Sequence, residues 1–266
     1  MLKNPHYEEK YMSINFNNAI VRLPSESIIN ALSSKGLSPD FLKVKIQHQA
    51  YSDTLKEIGL KVHILNSLKN LPDSLFVEDP ALVFNKICII LRPGVVERSG
   101  EAYNLKIDIS KFFDQIFDLE QGYVEGGDIL RINNHFIIGI SSRTNETGAE
   151  SLSNIIKKNG GTSEIAITPE NTLHFKSECS LLDEETILAT EKLIKSDFFN
   201  KKYRIIKVPK GEETGANCLR INEHLLIPKG YARLLDLLSK DYKVRVLDVT
   251  EMEKVDAGLS CLSLRW

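Results

Sequence analysis

The chain has 266 residues, 42% of them hydrophobic and 26% charged, with a formal net charge of −2. That length can bury one large core or two smaller ones, and the composition is that of a globular protein rather than a disordered one. The near-neutral balance argues against nucleic acid as the main partner, no apolar run approaches the ~18 residues of a membrane span, and the polar start MLKNPHYEEK lacks the apolar centre of an export signal.

Residues 1–18 carry no clear period and read as a loosely held leader before a single folded domain over 19–266. Ala19 to Leu23 reads as a strand that Pro24 stops, after which Ser25 and Glu26 can open a helix. From Pro39 to Gly59 the apolar residues Phe41, Val44, Ala50, Tyr51, Leu55 and Ile58 fall near a 3.6 spacing, so a helix is expected with Gly59 at its end. Leu60, Val62 and Ile64 then alternate, as in a strand.

Beyond this β-α-β opening, pairs of short apolar runs joined by a polar turn recur. They are PALVF-NK-ICIIL, DILRI-NN-HFIIGI, SLLD-EE-TILAT and NCLRI-NE-HLLIP, each a hairpin signal. Helix candidates such as Ala149 to Gly161 and Tyr231 to Lys240 separate them. Each leads into one more strand: QIFDL, EIAIT, RIIKV or KVRVLDV. The unit repeats at about 40 to 55 residues, within the range of propeller-like arrays. Four hairpins are complete, and a fifth arises only if SCLSLRW at the end pairs with NNAIVRLP near the start. The periodicity fits either such a closed ring or an open α/β sheet with similar hairpins.

The four cysteines, Cys88, Cys179, Cys218 and Cys261, contain no C-x-x-C pair, which suits neither a structural zinc site nor a disulfide framework. Reduced thiols in a cytoplasmic protein fit best. No phosphate-binding loop, zinc helix or nucleophile elbow is present. Polar residues instead gather where one unit passes into the next: Asp73, Glu78 and Asp79, then Glu125 and Asp128, then His174, then Asn217, then Asp256 and Cys261. In a ring these junctions share one centre. Cys261 is expected on a strand face with Leu259 and Ser263, pointing inward as a nucleophile. His174 would act as proton donor, and Glu125 would orient it. The carboxylates of Asp79 and Glu125 beside a cysteine suit a planar guanidinium. Arg98 and Arg143 lie in polar loops after hairpins and would complete a pocket for an amino acid with a guanidino side chain. Taken singly, each residue has a plainer reading: a packed cysteine, a satisfied core histidine, a tight turn at Gly126-Gly127, and arginines facing solvent.

The motifs LPDSLFVEDPALVF, ILRPGVVERSGE, VEGGDIL, FIIGISSRTNETG, LHFK, GAN and DAGLSCLSLRW, in that order between Ala19 and Trp266, resemble the dimethylarginine dimethylaminohydrolase family. This is the short branch of the guanidino-group-modifying superfamily that includes arginine deiminase. The resemblance implies the pentein fold, a five-bladed pseudo-symmetric α/β propeller closed by its N- and C-terminal strands. It implies Cys261 as nucleophile, His174 as general acid and then base, and Glu125 as the carboxylate that orients the histidine. For substrate binding it implies Asp79 on the guanidinium with Glu78 and Phe76 in the pocket wall. Asp73 and the Leu32 backbone would hold the α-amino group, Arg98 and Arg143 the carboxylate, and Val255 would line the pocket. The implied reaction converts Nω-methylated arginines to citrulline and di- or monomethylamine through a covalent thiouronium adduct, with no cofactor or metal, in a monomer or homodimer. Turnover of arginine or another small guanidine, and a non-catalytic pentein that only binds, are the competing readings. Ala257, where many relatives carry a second glycine, and Phe175, where leucine is usual, depart from the pattern away from the role-bearing positions.

Overall fold

The structure, a computed structural model, describes residues 13–266 apart from 197, 200 and 201. Residues 1–12 of the expected leader therefore lie outside the described residues. The first unit comprises β1 (Asn18–Arg22), α1 (Phe41–Glu57) and β2 (Lys61–Leu65). Asp40 caps α1 by accepting a 3.1 Å bond from the Lys43 amide, and Gly59 follows the helix at φ 100°, a conformation that favours glycine.

The second unit holds β3 (Ala81–Phe84), β4 (Ile87–Ile90), α2 (Ser99–Ile109) and β5 (Gln115–Asp118). The third holds β6 (Ile129–Ile132), β7 (His135–Ile140), α3 (Glu146–Lys158) and β8 (Thr162–Ile167). In the fourth are β9 (Cys179–Asp183), β10 (Thr186–Ala189), α4 (Glu191–Ile194) and β11 (Arg204–Lys207). The fifth has β12 (Leu219–Ile221), β13 (His224–Pro228), α5 (Ala232–Leu238) and β14 (Lys243–Leu247), after which come α6 (Thr250–Glu253) and β15 (Leu264–Arg265).

Units two to five share one sheet plan: an antiparallel hairpin, then a strand added parallel to its second member. The first sheet reproduces the plan from both ends of the chain. β15 runs antiparallel to β1, with Ala19 opposite Arg265 and Ile20 opposite Leu264, and β2 runs parallel to β1. Each sheet has three strands, and among the described residues no ladder joins one sheet to the next. Apolar packing does that instead. Five buried clusters each straddle two neighbouring units. One joins Ile20 and Leu264 to Val83 and Ile90, and another joins Tyr51 and Leu55 of the first unit to Ile221 and Leu226 of the fifth. The pseudo-symmetric pentein arrangement follows, with its hydrophobic core distributed between blades.

The structure corrects several sequence readings. The helix before β5 spans Ser99–Ile109, so it begins inside the RPGVVERSGE stretch expected as a polar loop. α3 starts at Glu146 rather than Ala149, because the Asn145 side chain caps it through the Gly148 amide at 2.9 Å. Cys261 lies in a 3₁₀ turn over Ser260–Leu262, not on a strand, since only Leu264 and Arg265 pair with β1. Ile14 is buried, and the Asn222 amide donates to its carbonyl at 2.6 Å, tying this stretch to the β12–β13 turn. Among the described residues no helix is long and apolar enough to cross a membrane.

Leu264 is 4% exposed in the sheet made from both ends, whereas Ile167 of β8 is 72% exposed. Leu264→Ala is expected to lower the unfolding free energy by about 2–5 kcal/mol in urea titration, and Ile167→Ala by no more than about 0.5 kcal/mol.

Candidate active site

The unit junctions converge as their polar composition suggested. A cavity of about 240 Å³ is lined by Leu32, Asp73, Phe76, Asp79, Arg98, Arg143, His174, Val255 and Cys261, together with Ser33, Ser34, Leu173, Asp256 and Ala257. Ten of the eleven expected site residues thus either line it or, in the case of Glu125, lie directly behind His174. Glu78 is placed differently. Its Oε1 accepts from Lys176 Nζ at 2.7 Å and from Arg265 Nη2 at 3.0 Å, and it lines a second cavity of about 130 Å³ among the inner strands. Successive residues therefore face opposite ways, Asp79 and Cys261 into the first cavity, Glu78 and Ser260 into the second.

His174 Nε2 donates to Glu125 Oε2 at 2.7 Å, and Glu125 has no exposed surface. The other carboxylate oxygen accepts from Arg143 Nη1 and from the Gly94 amide, both at 3.2 Å. Burial alone would raise the Glu125 carboxyl, but the His174 bond and the charges of Arg98 and Arg143 outweigh it and hold the group well below the usual carboxylate range. For His174 burial disfavours the imidazolium, while the Glu125 bond and the charges of Asp79, Asp128 and Glu125 favour it more, so its pKa is raised. The protonated form of the histidine is thereby favoured.

Cys261 is the reverse case. Burial, then the negative charges of Asp79 and Glu78, push its thiol up to about 12 against the smaller opposing effects of the Gly258 backbone and Lys176. At that value the resting group is a thiol, and a cation beside it would favour the thiolate.

Arg98 is buried rather than solvent-facing. Its Nη1 donates to Asp79 Oδ2 at 2.7 Å, while Nε and Nη2 grip Glu101 at 3.1 and 2.7 Å. Asp73 accepts from the Leu32 amide at 3.2 Å, and burial raises its carboxyl. Asp73, Asp79 and Glu125 stand beside Arg98, Arg143 and His174, and burial pushes the Glu101 carboxyl up to about 7, so the site offers a cationic ligand carboxylate oxygens as partners rather than a large surplus of charge.

Side chains from the preceding unit pin the turns that carry these groups. Asp79 Oδ1 accepts from the Gly127 amide at 3.0 Å, two residues after Glu125. Asp128 Oδ1 accepts from the Phe175 amide at 2.8 Å, next to His174, and its Oδ2 takes the hydroxyls of Ser141 and Thr144 at 2.7 Å. Gly126-Gly127 is required by close approach: a Cβ on Gly127 would lie 2.6 Å from His174 Cγ, and one on Gly126 2.0 Å from the Glu78 carbonyl oxygen.

Known proteins of similar sequence and structure identify the family. A family model described as arginine deiminase matches residues 67–224. The dimethylarginine dimethylaminohydrolase of Pseudomonas aeruginosa is 34% identical over 255 residues, covering 94% of this chain and all of that one. The chain belongs to the dimethylarginine dimethylaminohydrolase family. A Streptomyces coelicolor member is 27% identical over 93% of the chain and 96% of its own length. Among solved structures, a cysteine-to-serine variant of the Pseudomonas aeruginosa enzyme complexed with citrulline superposes with a TM-score of 0.91 at 34% identity, covering 94% of this chain and 99% of that one. The N-terminal domain of ArgZ, a cyanobacterial arginine dihydrolase, reaches a TM-score of 0.82 at 17% identity over 95% and 97% of the two chains, a likeness of fold.

Several residues that build this family site carried no role in the sequence reading. Glu101 was unassigned, although its spacing of three from Arg98 fits one helix face. Asp128, Asn217 and Lys176 became meaningful only through contacts across units. The ligand atoms of Asp79, Glu125 and His174 lie within 4.8 Å of one another and would admit a cation. Arg98 and Arg143 already lean on these carboxylates, so a planar guanidinium matches the set better than a spherical ion.

Because the Cys261 thiol is raised, its alkylation by iodoacetamide should climb with pH through about pH 9 without levelling off. A plateau near neutrality would reveal a preformed thiolate and contradict the assignment.

Proposed function

We propose that this chain hydrolyses Nω-methylated arginines to citrulline and di- or monomethylamine, with Cys261, His174 and Glu125 as its catalytic residues. The observation that carries the reading is the buried His174–Glu125 pair at the wall of a carboxylate-rich cavity that also holds Cys261. Full-length similarity to a dimethylarginine dimethylaminohydrolase supports the substrate class.

The substrate guanidinium lies between the carboxylates of Asp79 and Glu125, and Phe76 and Val255 flank it. Asp73 and the Leu32 backbone take the α-amino group. Arg143, which keeps donors beyond its Glu125 bond, and Arg98 face the α-carboxylate. Substrate charge beside Sγ offsets that of Asp79 and Glu78, and the thiol proton leaves to solvent. Sulfur attacks the guanidinium carbon. An alkylamine anion is too basic to depart, so His174 delivers its proton as the C–N bond breaks. The neutral amine leaves and an S-alkylthiouronium remains on Cys261. His174, now neutral, removes a proton from water as it adds to the same carbon, and cleavage of the C–S bond releases citrulline. Glu125 holds the imidazole in line throughout. A nucleophilic thiol and four free buried cysteines suit the reducing cytoplasm, with residues 19–266 acting as one catalytic domain.

Incubation of the pure protein with dimethylarginine, monomethylarginine and arginine, followed by a citrulline assay, is expected to give product from the first two. Citrulline from arginine alone would sink the methylarginine assignment. Cys261→Ser should abolish turnover while substrate still binds, measured by calorimetry. Cys218→Ser, away from the cavity, should keep activity within about threefold of wild type. Equal loss from both would remove the special status of Cys261.

A further inference from the structure

Each catalytic turn begins a new unit, and in two cases its backbone is held by the residue that ends the preceding junction: Asp79 for the Glu125 turn and Asp128 for the His174 turn. The corresponding residue of the fifth unit is Asn217, immediately before Cys218 and β12. Its Oδ1 accepts from the Ser260 amide at 3.0 Å, one residue before Cys261. Its Nδ2 donates to Ser260 Oγ at 3.1 Å and to the Lys176 carbonyl at 3.2 Å, two residues after His174. One side chain thus touches both the nucleophile turn and the acid segment. The approach is tight: a Cβ on Gly258 would lie 2.5 Å from Asn217 Cγ and Oδ1. Glu178, at the same place in the fourth unit, turns to Thr172 and Thr190 instead, and the unit that follows it supplies none of the three proposed catalytic residues.

We propose that Asn217 is the positioning residue for Cys261, holding the nucleophile turn at its working distance from the His174 segment. The inference rests on the reading of Cys261 and His174 as nucleophile and acid. Its chemistry also explains why this member of the set is an amide while the other two are carboxylates. A donor is needed for the Lys176 carbonyl, which a carboxylate cannot provide. The group lies beside a nucleophile that already faces Asp79 and Glu78, with Lys176 as the nearby cation, and a further negative charge would oppose the thiolate. Asn217 does not line the substrate cavity, so its loss should act on the chemical step rather than on binding.

The test compares wild type, Asn217→Ala and the isosteric Asn217→Asp by kcat and KM for dimethylarginine, thermal midpoint, and the rate of Cys261 alkylation at fixed pH read by mass spectrometry. Asn217→Ala should lose roughly 100-fold in kcat with KM and alkylation within about threefold of wild type, the signature of misalignment. Asn217→Asp keeps the Ser260 acceptor and should fold, yet lose activity similarly and alkylate roughly tenfold more slowly. A folded Asn217→Ala with kcat within about threefold of wild type would overturn the proposal. So would a fall in kcat matched by an equal rise in KM and a lowered thermal midpoint, or an Asn217→Asp that alkylates and turns over normally. If Asn217→Ala does not fold, Asn217→Asp decides. If wild type itself yields no citrulline, the substrate reading fails, and the alkylation of Asn217→Asp still settles the role of the amide.

Discussion

A carboxylate with no exposed surface dictates the centre of this molecule. An unpaired charge buried there would cost several kcal/mol, and removing one partner of such a pair typically costs about 3–5 kcal/mol. Glu125 is therefore surrounded by His174, Arg143, the Gly94 amide and, at 3.6 Å, Arg98. Arg98 needs its own compensation, which Asp79 and Glu101 supply. The network that keeps Glu125 ionised also favours the protonated form of His174 and sets carboxylates beside Cys261. Stability and catalytic readiness come from the same contacts.

The ring makes that network possible. Asp79, Arg98, Glu125, His174 and Cys261 come from four different units, and no single unit holds a complete site. Each unit exposes an apolar hairpin face that only its neighbour can cover, so the five clusters between blades fix the angular position of every junction. The side chains of Asp79 and Asp128 then reach forward by one unit and set the turn that follows. Because the Cys261 turn precedes β15, the pairing of the two chain ends also places Cys261.

Much of this is visible in the residues before any coordinates. Period-2 runs with polar two-residue turns mark the hairpins, and asparagines adopt left-handed conformations at three of them: Asn85 at φ 47°, Asn133 at 57° and Asn222 at 52°. The start of α2 is poorly marked in the sequence for a physical reason. Its buried face is Glu101, Leu105 and Ile109, so a charged residue opens a stripe that would otherwise be apolar. Glu101 is inside because Arg98 is, and neither fact is local. Glu78 is the converse: adjacent to Asp79 and equally acidic, it faces the inner-strand cavity and pairs with Lys176 and Arg265.

The order of hairpin, helix and strand and the gathering of polar residues at the unit junctions were determined by the sequence alone, because periodicity, turn chemistry and residue type are local properties, whereas a fifth unit made from the two chain ends is not. Which neighbour each group faces was decided by the tertiary structure. Whether an acid faces the central cavity or a lysine, whether an arginine is solvated or embedded, and whether an asparagine reaches the Cys261 turn all depend on contacts between residues tens to hundreds of positions apart. Partner charges shift Glu125 and His174 against the effect of burial, and burial shifts Cys261, since the cost of a charge depends on what surrounds it and not on its place in the chain.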